Sequence, residues 1–173
     1  MAVLGYSSVG AASEQGLAGL ALHCKYTSGG SGDLTHIRVA CWNASAGTHI
    51  KLAIYADSGG VPSGTPLFSS AAVDVARTAA PTQESEWVSI AVTGVTVVNG
   101  TDYWLTMGID SGGSYCAEET SGGTRRGSAT SYANFPLDPA GTTSALDSTK
   151  MSIYCDISAA SPSSSSLCLL GCG

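Results

Sequence analysis

Apolar side chains recur at every second position through much of this chain. Residues 34–43 read Leu-Thr-His-Ile-Arg-Val-Ala-Cys-Trp-Asn, which places Ile37, Val39 and Cys41 on one face and Arg38, Ala40 and Trp42 on the other. The same alternation groups Ile50, Leu52, Ile54 and Ala56 in residues 49–56, and Val88, Ile90 and Val92 in 86–92. It groups Tyr103, Leu105, Met107 and Ile109 in 102–109, and Met151, Ile153, Cys155 and Ile157 in 150–157. Leu20, Leu22 and Cys24 share a face within 18–27, and shorter strands fit 2–9, 66–72, 95–98, 113–118 and 127–133. Residues 11–19 are broken by small residues and show no amphipathic stripe, so almost no helix is expected.

Turn residues separate these runs. Gly59 and Gly60 follow a strand and accept positive φ at no steric cost. Asn99-Gly100 lies between two strand-like runs and predicts a type I′ hairpin joining 95–98 to 101–109. Many short strands with turns between them predict an all-β fold, an antiparallel β-sandwich of jelly-roll-like form. A parallel α/β sheet needs crossover helices, and none is predicted. The sandwich takes residues 1–157. Residues 158–173 form a Ser-rich linker and an apolar tail, with Leu167, Cys168, Leu169, Leu170 and Cys172 close together.

Composition narrows the function. Only 12% of residues are charged, so Ser, Thr, Gly and Asn must supply the polar surface, as in secreted, cell-surface or capsid proteins. Seven Lys and Arg against 13 Asp and Glu give a net charge of −6, which disfavours nucleic acid as a partner. Arg125-Arg126 is expected in a solvated loop. No apolar run is long enough to span a bilayer. The start, Met1 to Tyr6, lacks the basic and apolar regions of a signal peptide. Removal of a leader, or release by lysis as with virion proteins, would each reconcile this with a surface location.

Candidate chemistry is sparse. Six cysteines allow disulfides, while Cys24, Cys41, Cys116 and Cys155 fall within strand-like segments and fit equally as core thiols. No Cys-x-x-Cys and only three His give no metal-site spacing, and no cofactor is expected. His23, His36 and His49 read as structural. Glu118 and Glu119 point to opposite faces of a strand, and Glu84 and Glu86 read as solvated, so neither pair makes a glycosidase dyad. Asp57, Asp74, Asp102, Asp110, Asp138 and Asp147 read as turn carboxylates without the ladder that Ca²⁺ needs. Asn43-Ala44-Ser45 and Asn99-Gly100-Thr101 match the glycosylation acceptor pattern, with Asn99 better explained by its turn. Trp42, Tyr55 and Tyr115 are candidates for an aromatic ligand patch, provided that the first two share a sheet face.

Two segments carry a resemblance. They are Ile50-Lys-Leu-Ala-Ile-Tyr-Ala-Asp-Ser-Gly-Gly-Val-Pro-Ser-Gly-Thr-Pro-Leu67 and Val97-Val-Asn-Gly-Thr-Asp-Tyr-Trp-Leu105. Together they resemble the choice-of-anchor-type β-sandwich modules of microbial surface proteins and of predicted phage virion proteins. The resemblance implies a sandwich over residues 2–157 and brings no catalytic residue. The six cysteines and the Leu-Cys tail depart from that pattern and point toward assembly. The expected function is therefore a non-catalytic, self-assembling surface protein, of a virion (capsid-decoration or fibre type) or an extracellular filament. Its partners would be copies of itself or a capsid or filament scaffold. Contacts would come from Leu4, Leu167, Cys168, Leu169, Leu170 and Cys172. The alternative is a carbohydrate- or host-surface-binding module.

Overall fold

A computed structural model describes residues 2–15, 19–43, 47–83, 86–110, 114–138 and 140–158. The described chain is all-β, with antiparallel ladders throughout and a short 3-10 turn at Tyr132–Asn134. The strands are β1 Val3–Gly5, β2 Ala12–Gln15, β3 Leu20–Thr27, β4 Gly32–Val39, β5 Cys41–Asn43, β6 His49–Ser58, β7 Val61–Ser69 and β8 Val73–Asp74. There follow β9 Val88–Ala91, β10 Thr96–Val97, β11 Asp102–Ile109, β12 Ser114–Glu119, β13 Arg125–Ala129, β14 Ser144–Asp147, β15 Lys150–Met151 and β16 Ile153–Ile157.

Seven strands form the larger sheet, in the order β14-β13-β3-β11-β6-β7, with β8 also on β6. The other layer has two parts. β1, β16, β4, β9 and β10 form five strands, and β2, β12, β5 and β15 form four. The two parts meet where β4 runs into β5 and β15 into β16. There the Ala40 N–H donates to Ser152 O, the Ser152 N–H to Ala117 O, and the Ala117 N–H to Ala40 O, at 2.8–2.9 Å. β5 and β15 thus part company and both pair with β12. Ala40, Ala117 and Ser152 are small enough for three backbones to meet there, and all three are buried.

The core lies between the layers and follows the alternation. Ile37, Val39 and Cys41 meet Ile50, Leu52, Ile54, Leu105, Met107, Met151, Ile153 and Cys155 in one buried cluster. Each large aliphatic side chain so buried contributes about 1.5–3 kcal/mol over its exposed state. Leu4 belongs to this core, opposite Cys155. A fully buried side chain cannot contact a neighbouring copy, which corrects the expectation that Leu4 is an assembly residue.

β11 is buried on both faces. Outward-pointing Trp104 packs with Ala21, Ala53, Tyr55, Phe135 and Ala140 in a second cluster. Residues 130–138 cover this outer face as a strap. Lys51 Nζ donates to the Tyr132 and Phe135 carbonyls at 3.1 and 3.2 Å, and the Tyr55 hydroxyl donates to Leu137 O at 2.8 Å. Gly108 admits the strap, because a Cβ there would lie 2.8 Å from the Phe135 ring. Gly108→Ala is therefore expected to cost about 1–2 kcal/mol through overpacking, read as a lower urea midpoint with the strand signal retained.

Turn geometry separates the two glycine signals. Gly59 and Gly60 have φ of +64° and +80° between paired Ser58 and Val61, a type I′ hairpin. At Asn99-Gly100 only Gly100 has positive φ, +76°, and the Thr101 N–H donates to Val98 O at 3.1 Å. That is a type II turn, not the expected hairpin. β10 pairs with β4 and β11 with β3 and β6, so the turn passes between layers.

Candidate functional site

The proposed aromatic patch divides. Trp42 lies on β5 and Tyr115 opposite it on β12, and their rings stack at 5.6 Å between centroids and 15° between planes. Both are half-buried. Tyr55 lies on β6 in the other layer, fully buried beneath the strap. It therefore cannot join a patch with Trp42. The two strands are neighbours in sequence, but the ladder of β5 is with β12 and that of β6 is with β11. Beside Trp42 lies a third apolar cluster of Ala40, Trp87, Ala117 and Tyr154, with Val3 and Val9 against it.

The four described cysteines are buried free thiols. Burial pushes Cys24 up to about 11 and Cys41 up to about 12, and holds Cys116 and Cys155 well above the ordinary thiol range. Leu167, Cys168, Leu169, Leu170 and Cys172 lie outside the described residues.

The polar networks are the features that sequence reasoning missed. Arg125 is not in a solvated loop. It lies on β13 opposite Cys24 and reaches across the sandwich to Glu118 on β12, Nη1 to Oε2 2.8 Å. Its other nitrogen, Nη2, pairs with Asp147 on β14. Burial works to raise the Asp147 carboxyl, but the Thr149 N–H and Arg125 outweigh it and hold the group below its usual range. Arg126 points the other way and donates to Thr143 Oγ1 and O at 2.7 and 2.8 Å.

His23 is buried on the outer face of the larger sheet, beside Tyr55. Its Nδ1 lies 2.9 Å from Thr106 Oγ1 and its Nε2 2.9 Å from Ser128 Oγ. The Tyr55 ring meets it edge-on at 6.1 Å. Burial, then the charge of Arg126, lowers its pKa to about 4. The other two histidines are half-exposed partners of carboxylates, His49 Nδ1 to Asp110 at 2.8 Å and His36 Nδ1 to Asp156 at 3.9 Å. One clue to the His23 network was in the sequence. A His between Leu22 and Cys24, on the non-core face of a central strand, needs polar neighbours if that face is covered.

The sheet edges differ in chemistry. β7 carries Pro62 and Pro66, which cannot donate to a further strand. β14, Ser144–Asp147, pairs only with β13 among the described residues. All four of its residues are exposed, Leu146 by 46%. It carries neither Lys nor Pro. Among the described residues no three His, Cys, Asp or Glu side chains gather as a metal site, and no helix is long and apolar enough to cross a membrane. No family model matches the chain, and no curated protein or solved structure matches it.

Proposed function

We propose that this chain is a non-catalytic structural subunit of a virion or extracellular surface, assembling with copies of itself or with a capsid or filament scaffold. The observation that carries this reading is the β14 edge. It is a four-residue edge that pairs only with β13 among the described residues, with Leu146 exposed and Asp147 its only charged side chain. An extended apolar segment from a neighbour adds to such an edge by main-chain hydrogen bonds. The Leu-Cys-Leu-Leu segment at 167–170 has that composition. A surface with few charges also lowers repulsion between copies. The resemblance to choice-of-anchor-type modules fits the same role.

Sedimentation velocity over a concentration series tests it. The full chain is expected to form discrete oligomers. A chain ending at Ser158, and separately Leu146→Lys in the full chain, are expected to sediment as monomers. A full chain that stays monomeric at the highest concentration overturns the proposal. The stacked Trp42 and Tyr115 favour a second reading, a glycan-binding module. A monomer that binds a glycan array, and loses binding in Tyr115→Ala, would select it.

A further inference from the structure

Register places Cys41 of β5 directly opposite Cys116 of β12. One residue further along each strand, the Ala117 N–H donates to Ala40 O at 2.9 Å. That bond makes the cysteines a non-hydrogen-bonded pair. In such a pair the Cα atoms stand about 4.5 Å apart and the side chains come closest, within the range of about 4.4–6.8 Å that a disulfide spans. Both side chains enter the same core. On the opposite face the adjoining pair, Trp42 and Tyr115, stacks and keeps the ladder in register. The other described cysteines lack this arrangement. Cys24 has Leu105 and Arg125 opposite it, and Cys155 has Leu4 and Ile37.

We propose that Cys41 and Cys116 are a cross-strand disulfide site, closed when the chain folds with a low-molecular-weight disulfide as oxidant. This inference stands on the β5–β12 register and not on the assembly reading. One cysteine thiolate attacks the small disulfide, forming a mixed disulfide and releasing one small thiol. The second cysteine thiolate then displaces the other. Two S–H bonds of the protein become one S–S bond, and the two electrons and two protons leave on the two small thiols. Burial and the high thiol pKa values oppose this exchange in the closed sandwich. The bond therefore forms once β5 and β12 have paired but before the facing layer closes over them, and afterwards the core shields it from reductant.

The full chain, unfolded in reductant and refolded in a buffer of reduced and oxidised glutathione, tests this by peptide mapping without reduction. The expected product is a peptide pair joined through Cys41 and Cys116, about 2 Da lighter than the two free-thiol peptides. Its Tm should exceed that of the same chain refolded in reductant by about 5–10 °C. Cys41→Ser should abolish both the linked pair and its share of the Tm difference, while Cys24→Ser keeps both. Should Cys41→Ser fail to fold, mapping of the unaltered chain and of Cys24→Ser still decides. Recovery of Cys41 and Cys116 as free thiols overturns the proposal. So does linkage of either to Cys24, Cys155, Cys168 or Cys172.

Discussion

Arg125→Met is expected to lower the unfolding free energy by about 3–5 kcal/mol. The Arg125 and Glu118 side chains are only 6% and 9% exposed, and their contact joins the two layers of the sandwich. Methionine keeps much of the length and volume of arginine, so the core stays filled. What it removes is the guanidinium beside a buried carboxylate, whose desolvation then goes uncompensated by that partner. Glu118→Gln in the same background restores part of the loss, because the carboxylate charge goes with it. A double-mutant cycle at pH 7, read by urea unfolding, gives the coupling between the two groups. A loss under about 1 kcal/mol for Arg125→Met would mean that the pair behaves as a surface ion pair. Arg125 also holds Asp147, which ends β14. Hydrogen exchange in β14 is therefore expected to quicken in Arg125→Met more than in β11. Since β14 is the proposed assembly edge, the variant should also weaken oligomers.

The strands were legible wherever one face alone carries apolar residues. Residues 102–109 are β11 as expected, because Tyr103, Leu105, Met107 and Ile109 all turn inward. Period-two reasoning says nothing of what covers the other face. Trp104 and Thr106 sit on that face and are fully buried because residues 130–138 lie over it, and that strap has no period of its own. Arg125-Arg126 looked like a loop because its partners, Glu118 and Asp147, are fixed by ladders rather than by nearby sequence. Trp42 and Tyr115 were both recognisable as candidate aromatics. Their stacking depends on the β5–β12 register, which a strand of three residues does not announce. Residues 11–15 carried too little apolar signal to read as a strand, yet β2 forms because β12 has a free side to pair with. Pairing partners, not local pattern, decided each of these.

The acid side of the stability profile is expected to depend on His23. Burial and the charge of Arg126 hold its imidazole neutral down to about pH 4, against 6.5 for the unfolded chain. A neutral imidazole has one donor and one acceptor nitrogen, and the Thr106 and Ser128 hydroxyls can rotate to complement either tautomer. Between pH 6.5 and 4 the unfolded chain takes up a proton that the folded chain refuses. Stability from this group is therefore complete above pH 6.5 and falls as the pH drops through that window, with a slope approaching about 1.4 kcal/mol per pH unit. The loss sums to about 3 kcal/mol by pH 4. His23→Gln keeps hydrogen-bonding capacity toward both hydroxyls and does not titrate. Every other group is common to both proteins, so the comparison isolates His23. In urea unfolding at pH 7, 5.5 and 4, the unaltered chain should lose about 3 kcal/mol more than His23→Gln over that range, the lowered carboxylates being common to both. Parallel curves would show that the imidazole takes up its proton in the folded state as readily as in the unfolded one. Water would then have to reach His23, contrary to the buried Thr106–His23–Ser128 chain.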